Sequence, residues 1–386
     1  MKLIHLSNYF NHHVKPLADA LYNILGDDYA FIETEKIPQF RLKLGYKAIS
    51  APYLMKYSID TQSHIEDLLM EADVVIYGEA PLNLIKDRYR SGKLTFRDDE
   101  SRYKNPNRYL KWPVYSYNSY WINKGYLLCA SAYAPVDYAL SGLKPEKCFK
   151  WGYFPEVRIY NNAEELMEKK GSKHHPGVSI LWAGRLIGLK HPEYAIYVAK
   201  RLKKDGVAFA MNIIGAGVLE GKILELIKNE NLINEVHLLG SMSPIEVRKY
   251  MEKADIFLFT SDRCEGWGAV LNESLNSGCA VVADGNIGSV PFLIKDGVNG
   301  MIYSSTNKKS LYEKVYWLVN HPAEIRGMGL NAYNTMVETW NGVHAANNLI
   351  ELSESLLKGG KNPIGEGPCS HAPLLMRRWR GKINVL

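Results

Sequence analysis

The stretch Ser261–Gly278 holds the side chains and backbone groups with the most definite chemistry. Glu265 and Glu273 stand in it with seven residues between them, beside a Gly-Trp-Gly turn (266–268) that follows an apolar run and opens a helical pattern. A carboxylate can accept two hydrogen bonds from a vicinal diol, such as that of a ribose or a hexose. At the start of a helix the backbone N–H groups of Gly266–Val270 lack partners, and such donors bind phosphate. The stretch therefore predicts a site for a ligand that combines diols with phosphate.

Two cationic side chains occur in an earlier loop that also contains glycine. Gly184, Arg185 and Lys190 follow another apolar run, and Pro192 stands in the first turn of the next helical pattern. Two carboxylates beside a phosphate site would repel the anion, so cations are expected nearby. Glycine allows close approach of the backbone, and Arg185 and Lys190 can clamp a diphosphate. Each loop alone is most often a solvated turn, whereas the two in this order form a much more specific pattern.

The elements that must position these loops are short apolar strands alternating with longer helical segments. Apolar runs with little alternation, each followed by a helix, indicate buried parallel strands. Two series of such units occur, so we predict an α/β fold with two doubly wound Rossmann-like domains facing a central cleft. The carboxyl ends of parallel strands line one crevice, which would bring the two loops together. The strands predicted in the second half are 178–183, 209–215, 236–240, 256–261, 279–283 and 301–303.

The predicted domains are 1–170, 171–345 and a C-terminal helix and tail, 346–386, that returns to the N-terminal domain. Strands are predicted in the first half at 2–7, 29–34, 72–78, 126–131 and 148–153. The polar stretch 164–177, which ends in Pro-Gly, is the predicted linker; a surface loop within one large domain is the alternative interpretation. The Gly- and Pro-rich segment 359–386 is predicted to pack as an irregular extension or to fray.

These motifs resemble those of the family 4 retaining glycosyltransferases, which have the GT-B fold. The resemblance covers about residues 178–350 well, and the paired glutamates are its most specific element. The segments that carry it are 184–186, Lys190, 214–217, 239–240, 254–255, Ser261, 265–273, 278–283 and 296–300.

The resemblance implies a role for each residue of the pattern. Glu265 would contact hydroxyls of the transferred sugar, and Glu273 the ribose of the nucleotide. Arg185 and Lys190 would bind the diphosphate, aided by the backbone amides of 266–271, and the loop 241–243 would lie beside the base. The predicted catalytic residues are Glu265, Arg185 and Lys190. The predicted donor-binding residues are Gly184, Arg185, Lys190, Ser241, Met242, Glu265, Gly266, Trp267, Gly268, Ala269, Val270, Leu271 and Glu273.

The implied reaction moves a hexose from a nucleotide-diphosphate sugar, UDP- or GDP-linked, to a saccharide or polyprenyl-linked acceptor with retention of configuration. The product would be a bacterial surface polysaccharide or a glycolipid. Because the sequence has no Asp-x-Asp, we expect a metal-independent reaction without a cofactor. The alternatives are another GT-B enzyme, such as a nucleotide-sugar epimerase or a phosphorylase, and a non-catalytic partner subunit.

Three residues of the first half, His12, His13 and Glu100, are the predicted acceptor-side residues. The family commonly has glycines after the first strand, where this chain has the two histidines. Phe96, Arg97 and Glu100 match part of a Phe-Arg-x-Ser-Glu-Arg pattern seen in some bacterial polysaccharide transferases. The alternatives are local hydrogen bonds at a helix start for the histidines and an exposed charged loop for Glu100. The many aromatic residues between 103 and 154 suit a sugar face or a lipid interface, and ordinary packing is the alternative.

The overall composition limits the partners. The net charge of +6, from 47 basic and 41 acidic residues, is too mild to indicate nucleic-acid binding. No apolar run approaches the ~18 residues of a membrane span, and the N-terminus turns polar too early for a signal peptide. Five widely spaced cysteines without a Cys-x-x-Cys pair favour a reducing compartment. We expect a cytoplasmic protein, located at the inner face of the cell membrane if the basic tail 377–382 binds anionic headgroups; a solvated tail is the alternative.

Overall fold

The computed structural model describes residues 1–43, 47–102, 111–161, 163–168, 170, 177–304 and 307–376, without the side chains of Phe40 and Lys43. Over these ranges the chain forms two compact units. The first consists of Met1–Glu156 and Thr339–Met376, and the second of Val157–Glu338. The chain therefore passes from one unit to the other earlier than the predicted positions 170 and 345.

The first unit is built around a parallel sheet. Its strands are β1 (Leu3–Ser7), β2 (Tyr29–Glu33), β3 (Leu54–Lys56), β4 (Val74–Tyr77), β5 (Thr95–Asp99), β6 (Tyr126–Cys129) and β7 (Cys148–Lys150). Among the described residues these seven strands lie in the order β3-β2-β1-β4-β5-β6-β7. The helices between them are α1 (Lys15–Leu25), α2 (Gln39–Lys43), α3 (Gln62–Glu71), α4 (Lys86–Ser91), α5 (Trp112–Ile122) and α6 (Ala134–Ala139). Strand β4 is apolar and fully buried, as expected for a parallel strand covered on both faces.

Strand β5 is absent from the predicted set because its sequence, Thr-Phe-Arg-Asp-Asp, carries three charges. The structure supplies internal partners for them. Arg97 donates to the Gly78 carbonyl, pairs with Asp99 at 3.1 Å, and lies 4.5 Å from the centre of the Tyr77 ring. Burial would raise the pKa of Asp99, but the charges of Arg97 and Arg102 hold it below its ordinary value. The segment Thr95–Asp99 is thus a paired strand. Glu100, for which an exposed charged loop was the alternative, follows this strand and is half-buried.

The second unit contains the predicted strands of the second half, to within two residues at each end. They are β8 (Val178–Ala183), β9 (Phe209–Ile214), β10 (Val236–Leu238), β11 (Ile256–Phe259), β12 (Ala280–Asp284) and β13 (Met301–Tyr303). Within the described ranges they form a six-stranded parallel sheet in the order β10-β9-β8-β11-β12-β13. The helices are α7 (Ala163–Glu168), α8 (Glu193–Lys204), α9 (Glu220–Asn229), α10 (Pro244–Lys253), α11 (Val270–Asn276), α12 (Val290–Leu293), α13 (Lys308–Val319) and α14 (Pro322–Asn334).

Part of the predicted linker is a helix of the second unit. Leu166 and Met167 of α7 are buried against Tyr333 of α14, while the charged residues around them dominate the sequence pattern. A Cβ atom on Gly278 would lie 2.2 Å from Met167, so α7 packs closely on the turn after α11. The remaining linker positions 169 and 171–176 lie outside the described residues.

The last helix, α15 (Gly342–Leu357), belongs to the first unit. It packs on α1, where a Cβ on Gly342 would lie 2.8 Å from the backbone of Pro16. The following segment pairs with β7: Cys369 donates its N–H to the Lys150 carbonyl at 2.7 Å, and Ala372 donates to that of Cys148 at 2.9 Å. As far as Met376 the tail is thus a packed irregular extension. Of the helices in the described ranges, none combines the length and apolarity needed to cross a bilayer.

Candidate active site

The two loops singled out in the sequence follow adjacent strands at the centre of the second sheet. Strands β8 and β11 pair directly, and the chain runs outward from them in opposite directions, towards β10 and β13. Such a reversal of strand order opens a crevice at the carboxyl ends of the two strands. The loops are also hydrogen-bonded to each other, because the N–H of Asp262 donates to the Leu189 carbonyl at 2.9 Å.

Lys190 and Glu265, which are far apart in the sequence, form a close ion pair in this crevice. Their side chains are only 14% and 16% exposed, so solvent screens the pair less than it would a surface pair. The structure therefore brings together two of the three predicted catalytic residues. The pair can open to offer an ammonium group to an anion and a carboxylate to hydroxyl groups.

The main chain at Lys190 is held in place by a buried hydrogen-bonded link. Trp182 of β8 donates its indole N–H to Thr260 Oγ1 at 2.8 Å, and this hydroxyl donates to the Lys190 carbonyl at 2.7 Å. Both Trp182 and Thr260 are buried. Because the link ties the β8 loop to the end of β11, it restricts the positions from which Lys190 can act.

His191 joins the same two loops through its side chain. Its ring nitrogens lie 2.8 Å from Glu193 Oε1 and 3.3 Å from Asp262 Oδ2, and its backbone is left-handed with φ of 47°. A non-glycine residue in this conformation is strained unless its surroundings hold it there. The hydrogen bonds to Asp262 and Glu193 raise the pKa of His191 to about 9, so the ring carries a positive charge at neutral pH. Sequence reasoning missed this residue; the available signal was a histidine between Lys190 and Pro192.

Asp262 shapes the turn that presents Glu265. Its carboxylate accepts the N–H of Cys264 at 2.7 Å, and its carbonyl accepts the N–H of Glu265 at 3.0 Å. The same carboxylate faces His191, so one acidic residue fixes both the Glu265 turn and its distance from the Lys190 loop.

Gly268 allows the chain to turn into α11. Its φ is +80°, and a Cβ there would lie 2.4 Å from the Phe259 ring. Within the described part of the chain, the N–H groups of Gly268, Ala269 and Val270 have no acceptor. These three donors are next to Glu265 in the chain and can face an anion that Lys190 also reaches.

Two of the predicted donor-binding residues, Trp267 and Leu271, have buried side chains. The side chain of Trp267 is 1% exposed and donates to Asn272 Oδ1 at 2.8 Å, so it is part of the core. Leu271 is buried as well, and its N–H already donates to the Gly268 carbonyl at 2.9 Å. Gly266 is buried too and can offer only backbone groups.

Glu273 lies in the first turn of α11 with a half-buried carboxylate. Burial raises the pKa of this carboxyl, although the charges of Arg248 and Arg158 oppose the effect. Its side chain has no hydrogen bond from the described residues. A diol can therefore bind here without displacing a protein partner.

The other predicted donor-side residues line the same edge of the sheet. Arg185 is exposed, and within the described ranges its side chain has neither a hydrogen bond nor an ion pair, which leaves the guanidinium free to move. Gly184 stands where the backbone is crowded, since a Cβ on Gly215 would lie 1.8 Å from the Gly184 carbonyl oxygen. Ser241 and Met242 follow β10, which β9 separates from β8, so they lie farther from the central pair.

The three predicted acceptor-side residues cluster around one tyrosine of the first unit. The rings of His12 and His13 lie 4.0 Å apart, and the ring of Tyr153 stacks beside His13 at 6.3 Å. Tyr153 donates its hydroxyl to Glu100 Oε1 at 2.5 Å. Burial, with the nearby charges of His12 and Arg41, lowers the pKa of His13 to about 3, so its ring is neutral at pH 7. The cluster offers a neutral imidazole and a carboxylate near each other.

Comparison with known proteins identifies what this arrangement is similar to. Residues 163–335 match the family model described as glycosyl transferases group 1. The amylovoran biosynthesis glycosyltransferase AmsK of Erwinia amylovora is 29% identical over 47% of this chain and 46% of its own. The N-acetylgalactosamine-N,N'-diacetylbacillosaminyl-diphospho-undecaprenol 4-alpha-N-acetylgalactosaminyltransferase of Campylobacter jejuni is 34% identical over 44% of each chain. The chain thus spans about half the length of the curated relatives it matches.

Solved structures extend the likeness to both units. HepE of Anabaena in complex with UDP and glucose superposes with a TM-score of 0.63 at 14% identity, over 92% of this chain and all of that one. Sucrose-phosphate synthase of Thermosynechococcus elongatus gives a TM-score of 0.66 at 13% identity, over 93% of this chain. The predicted fold class, two Rossmann-like domains with parallel sheets as in GT-B glycosyltransferases, is confirmed.

Proposed function

We propose that this protein is a glycosyltransferase that moves a hexose from a UDP- or GDP-linked sugar to a saccharide or lipid-linked acceptor, with retention and without a metal ion. The observation that carries the proposal is the Lys190–Glu265 ion pair at the point where strand order reverses, beside the N–H groups of 268–270, which have no acceptor among the described residues. The family match over 163–335 and the fold shared with a UDP- and glucose-bound protein support the same activity.

Sugar transfer from a nucleotide diphosphate develops negative charge on the leaving phosphate and positive charge on the sugar. Lys190, Arg185 and the N–H groups of 268–270 are the donors available for the phosphate. When the diphosphate takes the ammonium of Lys190, the carboxylate of Glu265 is released to accept hydrogen bonds from sugar hydroxyls. A preorganised donor of this kind typically contributes about 3–4 kcal/mol to the transition state.

The nucleoside end of the donor is assigned to Glu273. Its half-buried carboxylate lacks a hydrogen-bond donor from the described residues, and two vicinal ribose hydroxyls would supply two. Ser241 and Met242 follow β10, at the same edge of the sheet, and are assigned to the base.

Retention follows from the family resemblance, in which neither glutamate needs to be a covalent nucleophile. The leaving phosphate can take the proton of the acceptor hydroxyl on the same face of the sugar. Positive charge for that phosphate comes from Lys190 and Arg185, with the N–H groups of 268–270 as further donors, so activity should persist when a chelator removes divalent ions. The stereochemistry is checked by NMR of the anomeric proton of the product.

The acceptor is assigned to the first unit, where His12, His13 and Glu100 surround Tyr153. A saccharide hydroxyl can donate to Glu100 and pack against the tyrosine ring. The Campylobacter relative carries a diphospho-undecaprenol acceptor in its name, and AmsK belongs to amylovoran synthesis. These names support a lipid-linked saccharide as the class of acceptor.

A screen of nucleotide sugars by thermal shift, followed by turnover assays, tests the proposal. A donor present at a hundred times its dissociation constant should stabilise the fold by ~2.7 kcal/mol. Nucleotide release that depends on added acceptor supports transfer. Conversion of the donor sugar without acceptor indicates an epimerase instead, and phosphate-dependent cleavage indicates a phosphorylase. If no nucleotide sugar stabilises the protein, the proposed donor site is wrong.

A further inference from the structure

The helix α5 presents apolar and aromatic residues to solvent. Trp112, Val114, Tyr117 and Tyr120 are 45%, 56%, 48% and 56% exposed. A surface helix normally places polar residues on its outer side. Exposed apolar patches of this kind mark sites of interaction.

The packing of the first unit does not account for these outward side chains. The buried side of α5 is supplied by Ser119, Trp121 and Ile122. Tyr117 and Tyr120 make edge contacts with the Trp121 ring, at 6.2 and 5.3 Å between ring centres. About half of the surface of each tyrosine stays exposed. These two rings therefore lie mainly on the solvent-exposed side of α5.

Cations surround this apolar face. Lys86 of α4 lies 5.6 Å from the centre of the Tyr117 ring, and Lys124 lies 5.4 Å from that of Tyr120. Lys111 precedes the first turn, and between it and Lys124 the sequence contains no Asp or Glu. Arg90 of α4 is also close, 5.6 Å from the Trp121 ring. The one acidic neighbour on α4, Asp87, is paired with Arg90 at 2.5 Å.

We propose that this region docks on the surface of an anionic lipid bilayer. The α5 surface is defined as Trp112, Val114, Tyr117 and Tyr120 with Lys86, Arg90, Lys111 and Lys124. Tyrosine and tryptophan combine an apolar ring with a polar tip and concentrate at the membrane interface. Lysine and arginine next to them are attracted to anionic headgroups. On α4 and α5 the cations outnumber the one acidic residue, Asp87, which favours an anionic partner over a neutral or basic one. The exposed aromatic rings among these cations favour a lipid headgroup layer as that anionic partner.

This surface differs from the basic tail considered in the sequence, whose residues 377–382 lie outside the described ranges. It does not depend on the proposed glycosyl transfer, since a protein without that activity could still bind lipid here. An experiment can therefore disprove lipid binding by the α5 surface without disproving glycosyl transfer, and the reverse.

Flotation of the full-length protein with large vesicles tests the proposal. We expect binding to vesicles in which about one third of the phosphatidylcholine is replaced by phosphatidylglycerol, whose headgroup is anionic. We expect little binding to phosphatidylcholine alone. The double variant Lys86→Gln/Lys124→Gln should weaken binding by about five-fold for each cation removed, and salt should reduce the difference. Tyr117→Ser/Tyr120→Ser should weaken it roughly ten-fold while the thermal midpoint stays unchanged.

Matched variants on the second unit control for general loss of charge and aromatic surface. Lys222→Gln/Lys228→Gln removes two exposed lysines of α9, and Tyr316→Ser/Trp317→Ser removes two exposed rings of α13. Both should bind vesicles like the wild type. Arg377→Gln/Arg378→Gln/Arg380→Gln tests the tail.

The proposal is overturned if the wild type does not float with anionic vesicles, or if the control or tail variants lose as much binding as those of the α5 surface. Sedimentation velocity without lipid tests the competing occupant. A concentration-dependent dimer that Tyr117→Ser/Tyr120→Ser abolishes would assign the surface to a second copy of the chain and overturn the lipid proposal.

Discussion

Replacing His191 with glutamine should remove a pH-dependent part of the stability of the second unit. The folded protein raises the pKa of His191 from 6.5 to about 9 through its bonds to Asp262 and Glu193. A raised pKa stabilises the folded state fully below the unfolded value of 6.5, and this stabilisation is lost as the pH rises through about 9. From this pKa shift, the linkage relation gives a stabilisation of the folded state of about 3 kcal/mol. Because the ring is partly exposed to solvent, we expect about 2 kcal/mol.

The measurement is urea denaturation of the wild type and of His191→Gln at pH 5.5 and pH 9.5. At the lower pH the variant should be less stable by about 2 kcal/mol, and at the higher pH the two proteins should be nearly equal. Other groups that titrate over this range cancel in the comparison. His64→Gln, at an exposed position of α3, serves as the control and should give a constant difference near zero. If the free energies of unfolding of the wild type and of His191→Gln differ by the same amount at both pH values, the reasoning is refuted.

Three further outcomes are expected. Glu265→Ala should lower kcat by about 10²–10³ with an unchanged circular dichroism spectrum, and near-normal turnover would contradict its assigned role. Gly268→Ala should cost about 1–3 kcal/mol in urea denaturation because the added methyl meets an aromatic ring and φ is positive. The control Gly221→Ala, which has open space on α9, should be neutral or stabilising. Tyr153→Phe removes the hydrogen bond to Glu100. In initial-rate assays this variant should raise the KM for the acceptor several-fold and leave the KM for the donor unchanged. Equal changes in both KM values would argue against a role in acceptor binding.

The sheet of the second unit was predictable because its strands are apolar and buried on both faces. The same rule failed for β5, where Arg97 and Asp99 are charged but satisfy each other inside the protein. It also failed for α7, whose buried Leu166 and Met167 are outnumbered by charged neighbours. In both cases the charged residues are visible in the sequence, but the contacts are not. These contacts are the Arg97–Asp99 ion pair in β5 and the packing of Leu166 and Met167 on Tyr333 in α7.

The contact between Lys190 and Glu265 was predictable in outline, because loops after adjacent parallel strands must share one crevice. The fine structure of the site was not. The side chain of Trp267 points inward, where its indole N–H donates to Asn272. His191 joins the two loops only because Asp262 and Glu193 lie within hydrogen-bond distance of its ring. Such roles depend on side-chain directions, which a pattern of residue types does not contain.

The pairing of residues 369–372 with β7 has a practical consequence for handling the protein. Strand β7 is the last strand of its sheet, and without this segment its free backbone groups would be open to a strand from another molecule. Shortening the chain before Pro368 should therefore produce material that precipitates. An affinity tag attached after Leu386 leaves residues 369–372 paired with β7 and is the safer choice for purification.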